Sequence, residues 1–476
     1  MSNSAKDKQM AYKIAKAVND FGGSTYYVGG YVRDKLQKRD NKDIDIEVHN
    51  VTPDTLKEIL SKLGTMQTQG ASFGVYNLHG YGIDIAQPRT ETATGRGHKD
   101  FEVFVDPFLG TTRAAMRRDF TMNAMMEDVL TGEIIDPFGG QADLRDGVIR
   151  HVSDQTFTED PLRVFRAAQF AARFGFTVAP ETIDLMRTMD VSALPKERVW
   201  TEMEKAMLKS EKPSVFFDVL RQADQLEPWF HEAAKLIGCE QAKEYHPEGD
   251  AWNHTMGVLD NAAKYRDKVE HPAYFMTAAL CHDFGKPYTT SVGEDGRIHS
   301  YNHANAGVPA ANTFLCRINN DTGFRDYVLD MVGNHMKPHD MFNHNSAVKS
   351  TNHMFDEIKN RQDMCYLCIS DLMGKGDDFM QRAEKERVFL SERLAVYEKR
   401  AAEPMVTGRD LIAMGMRSSE QFSEILALSR KMHFSGVDKG SVLKDIAAKN
   451  RDAVNKERAD SLIAQFDTRE GDKQFE

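Results

Sequence analysis

Cysteine is scarce in this chain, with five residues among 476 and no regular spacing. No disulfide framework can be built from them, and a reducing compartment, the cytoplasm, is expected. No stretch reaches the ~18 consecutive apolar residues of a membrane-spanning helix, and the polar start MSNSAKDKQM has no apolar core of a secretion signal. A membrane role is therefore not expected. Internal repeats and low-complexity tracts are also absent. Positive charge is in deficit: 61 Lys and Arg stand against 72 Asp and Glu, a net charge of −11. That balance excludes a protein coated in basic charge. It does not exclude a polyanion partner, which needs only a local patch. One candidate patch is residues 429–458, with eight Lys or Arg against four Asp or Glu. An ordinary solvated helix has the same composition. The single C-x-x-C, Cys365 and Cys368, has no second pair and lies on a helical pattern, which reads as core packing.

What is present is rich. A chain of this length divides into two to four domains, and its 41% hydrophobic and 28% charged content is that of a globular protein. The most informative stretch is residues 26–48, YYVGGYVRDKLQKRDNKDIDIEV. A strand-like run ends in Gly29-Gly30, a helical segment follows, and a second strand carries Asp43 and Asp45. Side chains alternate along a strand, so carboxylates two residues apart point the same way, about 7 Å apart. Two such carboxylates beside a glycine turn suit Mg²⁺ and a nucleoside triphosphate, because Mg²⁺ takes oxygen ligands and completes its shell with phosphate and water. Glycines let backbone N–H groups approach phosphate oxygens closely. Taken alone, a D-x-D is most often a solvated hairpin edge.

A second signature follows. RRDFTMNAM begins at Arg117, and EDPLRVFRAAQFAARF begins at Glu159. Together with GGYVRD and DIDI, these motifs resemble the bacterial class II tRNA nucleotidyltransferases (CCA-adding enzymes) and the related poly(A) polymerases, over residues 20–240. The resemblance implies an α+β chain: a polymerase-β-like nucleotidyltransferase head, made of a mixed sheet with helices, followed by all-α neck, HD and tail regions. The head is expected over residues 1–135, with strands in TYYVGG, DIDIEVHN, FGVYNLHG, YGIDIAQP and FEVFVDP and a mobile loop between Pro88 and Glu102. The neck, residues 136–240, opens with the turn-rich linker DPFGGQADLRDG. Its helix after Pro161 carries Asp160, Arg163, Arg166 and Gln169 every third residue, with Phe165, Ala168, Phe170, Ala172 and Phe174 available for packing.

Ten of the sixteen histidines fall between His246 and His353, where an even spread would place about four. His254, His282-Asp283 in HDFGK, His303 and Asp371 follow in the order H…HD…H…D. This order resembles the HD phosphohydrolase superfamily, placed here at residues 241–400, whose ligands hold one or two divalent metals; His303 is the weaker member of the set. Imidazole ligands favour Ni²⁺, Co²⁺ or Mn²⁺ over Mg²⁺. Residues 401–476 form a helical C-terminal module with a possible tRNA contact, beginning at EPMVTGRDLIAMGM; SSEQF stands where relatives carry a Pro-Gly continuation.

The resemblance implies residue roles. Asp43 and Asp45, with Asp84 as a third carboxylate if its strand lies beside DIDIEV, would hold catalytic Mg²⁺. Gly29 and Gly30 would approach the triphosphate, with Arg33 supplying charge; Arg33 can equally be a surface helix residue paired with the Asp of VRD. Arg118 would contact the nucleotide, with Asp119 and Asn123 ordering the turn beneath it. Cytosine and adenine both present an amino donor beside a ring-nitrogen acceptor, so Asp160 and Arg163 can read both; the competing arrangement is an i,i+3 surface salt bridge. Arg166 would add a phosphate contact. Gln169 stands where many relatives carry arginine, and Glu197, Arg198 and Glu202 are read as bracing residues. Expected partners are CTP, ATP and the 3′ end and acceptor arm of tRNA, for a monomer or homodimer. The alternatives are a poly(A) polymerase, a partial A- or CC-adding enzyme, and a signalling hydrolase with a nucleotide-sensing head.

Overall fold

The computed structural model describes residues 3–466 apart from 40, 42, 68–74, 94–100, 295 and 419. The chain forms two compact units, Met1–His231 with Arg317–Asn319, and Glu232–Cys316 with Asn320–Glu476.

The first unit opens on a mixed seven-stranded sheet. Its strands are β1 (Ser24–Val28), β2 (Ile44–His49), β3 (Met66–Gln67), β4 (Val75–Leu78), β5 (Ile83–Ala86), β8 (Met126–Asp128) and β9 (Ile134–Ile135). Two further strands, β6 (Arg89–Ala93) and β7 (Phe101–Val105), lie between them in the chain. The sheet order is β3-β4-β5-β2-β1-β8-β9. Only β2 and β5 run parallel, with Asp45 directly opposite Asp84. Apolar side chains alternate into the core: Ile44, Ile46 and Val48 on β2 and Ile83 and Ile85 on β5 are all buried. The Asn3–Asn19 helix packs on β1 and β2, and the Pro53–Leu63 helix packs on that helix. Thr52 caps the second of them, accepting from the Thr55 N–H at 3.3 Å, with Pro53 in the first turn.

Two expectations change here. FEVFVDP does not join the main sheet. It forms β7, which pairs antiparallel with β6 from Arg89↔Val105 to Ala93↔Phe101. The expected loop between Pro88 and Glu102 is thus the two arms of a ribbon, and its middle, residues 94–100, lies outside the described residues. The linker DPFGGQADLRDG contains a helix, Gly140–Asp146. A Cβ on Gly140 would lie 2.2 Å from the Thr121 carbonyl oxygen, so this glycine lets the helix sit directly under the Thr121–Asn123 turn.

The neck is built around the Leu162–Phe174 helix, with Phe165, Ala168, Phe170, Ala172 and Phe174 buried. It packs on the Lys196–Lys209 and Ser214–Gln222 helices. Phe165, Phe216, Phe217 and Phe230 form an aromatic cluster with centroids 5.1 to 6.4 Å apart, edge-on except for Phe165 and Phe216, which are stacked.

The described part of the second unit is almost entirely helical. Its centre is the contact between the Ala251–Ala262 and Arg361–Gly374 helices. A Cβ on Gly257 would lie 2.8 Å from the Gly374 carbonyl oxygen, and one on Gly374 would lie 2.8 Å from the Val258 nitrogen. Two small residues thus let the backbones touch. Cys365 and Cys368 are both buried on the second of these helices. The C-terminal helices close around their own core of Leu411, Met414, Val442, Leu443 and Ile463. The Thr407 and Asp410 capping box starts this module, and Lys439 pairs with Asp410 at 2.9 Å. Within the candidate basic stretch, Arg430 pairs with Asp356 and Lys449 with Asp445. Among the described residues, no helix is long and apolar enough to cross a membrane.

Candidate active site and metal centre

In the first unit, Asp43, Asp45 and Asp84 gather at one end of the parallel pair. Asp45 is about half-buried, while Asp43 and Asp84 are exposed. Burial raises the Asp45 carboxyl above its ordinary range, and the carboxylates of Asp84 and Asp43 push the same way, against Arg118. Three carboxylates held together, with Arg118 as the one cation acting on Asp45, could hold a divalent metal. Asn77 on β4 donates to Asp84 Oδ1 and fixes it.

Gly29 adopts φ 65°, which favours glycine, and ends β1 beside these carboxylates. A Cβ there would lie 3.8 Å from Arg118 Nη1 and 3.9 Å from Asp45 Oδ2. The bare backbone, the acidic cluster and the arginine therefore border one space. Arg118 is held by Glu47 at 3.1 Å. Burial would raise the Glu47 carboxyl, but His49 at 2.8 Å and Arg118 hold it below its ordinary range, so it stays ionised.

Arg33 does not lie at the surface. Its guanidinium is buried, donating to Asp34 at 2.8 Å and to Asn123 at 2.7 Å, and it stacks over Phe174 at 4.7 Å and Phe170 at 5.3 Å. Asn123 in turn donates to Asp119 at 2.9 Å, and Asp119 accepts from Arg166 at 2.6 and 2.8 Å. Burial would raise Asp119, but Arg166, Asn123 and Arg163 hold it below its usual range. Arg33, Asn123, Asp119 and Arg166 thus form a charged relay from the glycine turn to the neck helix.

Asp160 and Arg163 are partly exposed at the start of that helix. Asp160 pairs with Arg198 at 3.0 Å. Arg163 donates to the backbone carbonyls of Arg117, at 2.8 Å, and Thr156. The two are therefore not an i,i+3 surface pair; each is steadied by a different part of the neck and head. Glu202, also read as a brace, is buried and pairs with Lys205 at 3.0 Å. Gln169 is buried, and its Nε2 makes no hydrogen bond.

The second unit gathers the histidines. His254 Nε2 lies 3.1 Å from Asp371 Oδ1 and 3.6 Å from Asp283 Oδ2, and His282 Nε2 lies 3.2 Å from that same Asp283 oxygen. His254 and Asp371 each precede a crossing glycine by three residues, so the close backbone contact brings them together. His282 Nε2, Asp283 Oδ2 and Asp371 Oδ1 are buried without a hydrogen bond, although each has a charged or basic neighbour within 3.2 Å. Lone pairs that converge in this way, in a mixed imidazole and carboxylate set, fit a divalent transition metal. His303 Nε2 also reaches Asp283, at 3.3 Å from Oδ1.

These geometries agree with likenesses to known proteins. Residues 25–150 match the poly A polymerase head domain, residues 175–237 the probable RNA and SrmB-binding site of polymerase A, and residues 251–371 the HD domain. A multifunctional CCA protein from Nitrosococcus oceani is 35% identical over 422 residues, covering 86% of this chain and 98% of the relative. Another, from Actinobacillus pleuropneumoniae, is 37% identical over 323 residues, covering 66% of this chain and 76% of the relative. The chain belongs to the multifunctional CCA protein family. The fold agrees: a Thermotoga maritima CCA-adding enzyme complexed with tRNA aligns with TM-score 0.61 at 18% identity, over 96% of this chain and 95% of that one.

In this CCA family member, sequence reasoning missed His335, His339, Glu248 and Glu386. His335 is buried, with Nε2 3.2 Å from His303 Nε2. Burial first, then His303 and His282, lower its pKa to about 3, so it is neutral. His339 links Asp371, at 3.0 Å, to Glu386, at 2.7 Å. Burial alone would lower His339, but these two carboxylates raise it to about 9, so it remains cationic and steadies Asp371. Glu248 lies 2.7 Å from His254 Nδ1 and fixes that ring from behind. The one signal for the missed histidines was the i,i+4 spacing of His335 and His339, which suits one helical face; in the structure His335 stands between the Thr322–Asn334 and Met336–Asn343 helices.

Proposed function

We propose that this chain completes tRNA 3′ ends, adding C, C and A from CTP and ATP without a nucleic-acid template, and that its second unit hydrolyses phosphoesters. The observation that carries the first reading is the register of β2 on β5, with Asp45 opposite Asp84 beside Gly29 and Arg118. The functional parts are a catalytic head (1–135), a base-reading neck (136–240), an HD domain (241–400) and a tail that contacts tRNA (401–476), in a cytoplasmic enzyme.

Asp43, Asp45 and Asp84 would hold Mg²⁺; one such ion, when bound, would favour deprotonation of the RNA 3′-hydroxyl and another would offset charge on the departing pyrophosphate. The Gly29 and Gly30 backbone lets the triphosphate lie close to the sheet end, and Arg118, fixed by Glu47, neutralises its charge. Arg33 and Arg166 act from within, by fixing the Asp119–Asn123 turn that joins head to neck. Asp160 accepts from the amino group of C or A, and Arg163 donates to the ring nitrogen; uracil and guanine leave both groups unpaired.

Purified protein given tRNA lacking its 3′ CCA is expected to add two C residues from CTP and then one A from ATP. Addition of A alone, or of an A tract, would replace this reading with a partial adder or a poly(A) polymerase. Asp160→Ala and Arg163→Ala should each lower the preference for CTP and ATP over UTP and GTP roughly ten- to a hundredfold. A uniform rate loss with unchanged selectivity would reduce the pair to a helix brace.

The hydrolase reading rests on the convergence of His254, His282, Asp283 and Asp371 in one buried cluster. Its substrates are phosphoesters such as the 2′,3′-cyclic phosphates of damaged RNA ends, which block nucleotide addition until opened. His254→Ala, His282→Ala and Asp283→Ala should each eliminate hydrolysis stimulated by Ni²⁺ while CCA addition with Mg²⁺ persists. Loss of both activities in folded protein would refute two independent sites.

A further inference from the structure

Two of the head carboxylates are held by the sheet itself. Asp45 and Asp84 lie opposite each other in the β2–β5 ladder, and Asp84 also accepts from Asn77. Asp43 stands before that ladder, whose first pair is Ile44 with Ile83. Its backbone is held instead by a side chain of the loop that leads into β2: the Asp43 N–H donates to Asn41 Oδ1 at 2.9 Å, an Asx turn. Asn41 Nδ2 donates in turn to Asp34 Oδ2 at 2.9 Å. Asp34, on the Gly30–Leu36 helix, is buried, and its Oδ1 accepts from Arg33 at 2.7 and 2.8 Å. A carboxylate only accepts and a backbone N–H only donates, so one orientation of the Asn41 amide satisfies both partners and the flipped one satisfies neither.

The same loop touches the neck. Arg39 stacks over Phe174 at 4.9 Å, on the ring that Arg33 covers at 4.7 Å. Contacts therefore run from the neck helix through Arg33 and Asp34 to Asn41, and end on the backbone of Asp43. We propose that Asn41 is a positioning residue for nucleotide addition, fixing the Asp43 backbone so that its carboxylate meets a metal together with Asp45 and Asp84. The proposal rests on the reading of those three carboxylates as ligands. It also sets a chemical requirement at position 41. The side chain must accept from Asp43 and donate to Asp34 at once, as an uncharged carboxamide does. Aspartate there would keep the acceptor, lose the donor and set a second carboxylate against Asp34.

The test reads metal binding and turnover separately in the full-length chain. Tb³⁺, a hard cation that takes oxygen ligands, is titrated by its luminescence into chelator-stripped protein, and the head site is the part of the signal lost in Asp43→Ala. Nucleotide addition is followed in parallel over a range of Mg²⁺ concentrations. Asn41→Ala should weaken Tb³⁺ at that site about tenfold and raise the Mg²⁺ needed for half-maximal addition by a similar factor, the effect expected when a partner that orients a ligand is lost. KM for CTP at saturating Mg²⁺ and melting of the metal-free protein should stay near wild type, and addition should recover at high Mg²⁺, as it would not in a misfolded head. Asn41→Asp should behave like Asn41→Ala. Unchanged Mg²⁺ dependence in Asn41→Ala, or a rate loss that no Mg²⁺ concentration repairs, would overturn the positioning role, and wild-type behaviour of Asn41→Asp would overturn the link through Asp34. The ligand reading fails differently. If Asp43→Ala adds nucleotides normally, that reading falls and the proposal with it; if Asp43→Ala is inactive while Asn41→Ala matches wild type, only the proposal falls.

Discussion

Asp45→Ala is expected to lower nucleotide addition by about a thousandfold or more while tRNA binding stays largely intact. The size follows from the several kcal/mol that a metal ion contributes to phosphoryl-transfer transition states, at about 1.4 kcal/mol per tenfold. Binding survives because tRNA affinity is set by phosphate contacts spread over a long surface. The fold should also survive. Asp45 carries a carboxyl raised by burial and by Asp84 and Asp43, so in chelator its removal relieves repulsion. Thermal melting without metal should therefore stay level or rise. Asp43→Ala should behave likewise, and near-normal turnover in both variants would remove the catalytic assignment. A drop in activity that tracked a lower melting temperature would instead point to unfolding.

The sequence made some of this site legible because its determinants are local. Asp43, Asp45 and the glycine turn lie within seventeen residues, and period-two alternation gives the face of each carboxylate. Asp84 needed one long-range fact, the parallel pairing of β2 and β5, that no local pattern supplies. Arg33 shows where such reading stops. Its partners Asn123, Phe170 and Phe174 lie 90 or more residues away, so a charge beside a glycine turn looked open from sequence and is buried in the fold. The β6–β7 ribbon was hidden for a different reason: Thr-, Gly- and charge-rich composition around residues 88–102 imitates a loop. In the second unit, HDFGK stood out by its adjacent candidate ligands, whereas His335 depends on packing against His303 on a separate helix.

Glycine packing gives the last expectation. Gly285 has φ −82°, a conformation that any residue can adopt, so alanine there meets no backbone strain. Its Cβ would nevertheless lie 1.9 Å from the His303 carbonyl oxygen and 2.6 Å from the Gly307 nitrogen. Both are backbone atoms of the His303–Ile318 helix, so no side chain can turn aside and the helix itself must move. Overpacking of a core costs about 1–3 kcal/mol where side chains can yield, and a clash with backbone should exceed that range. Gly285→Ala should lower the melting temperature of the second unit and weaken its Ni²⁺ binding, because His303 is carried away from Asp283. Gly408 provides the control in the same unit: it opens a helix, and a Cβ there meets nothing within 4 Å. Gly408→Ala should leave melting level or raised, since alanine suits a helix better than glycine by up to about 1 kcal/mol. Equal, small effects at both positions would mean that the close approach of HDFGK to the His303 helix does not hold the centre together.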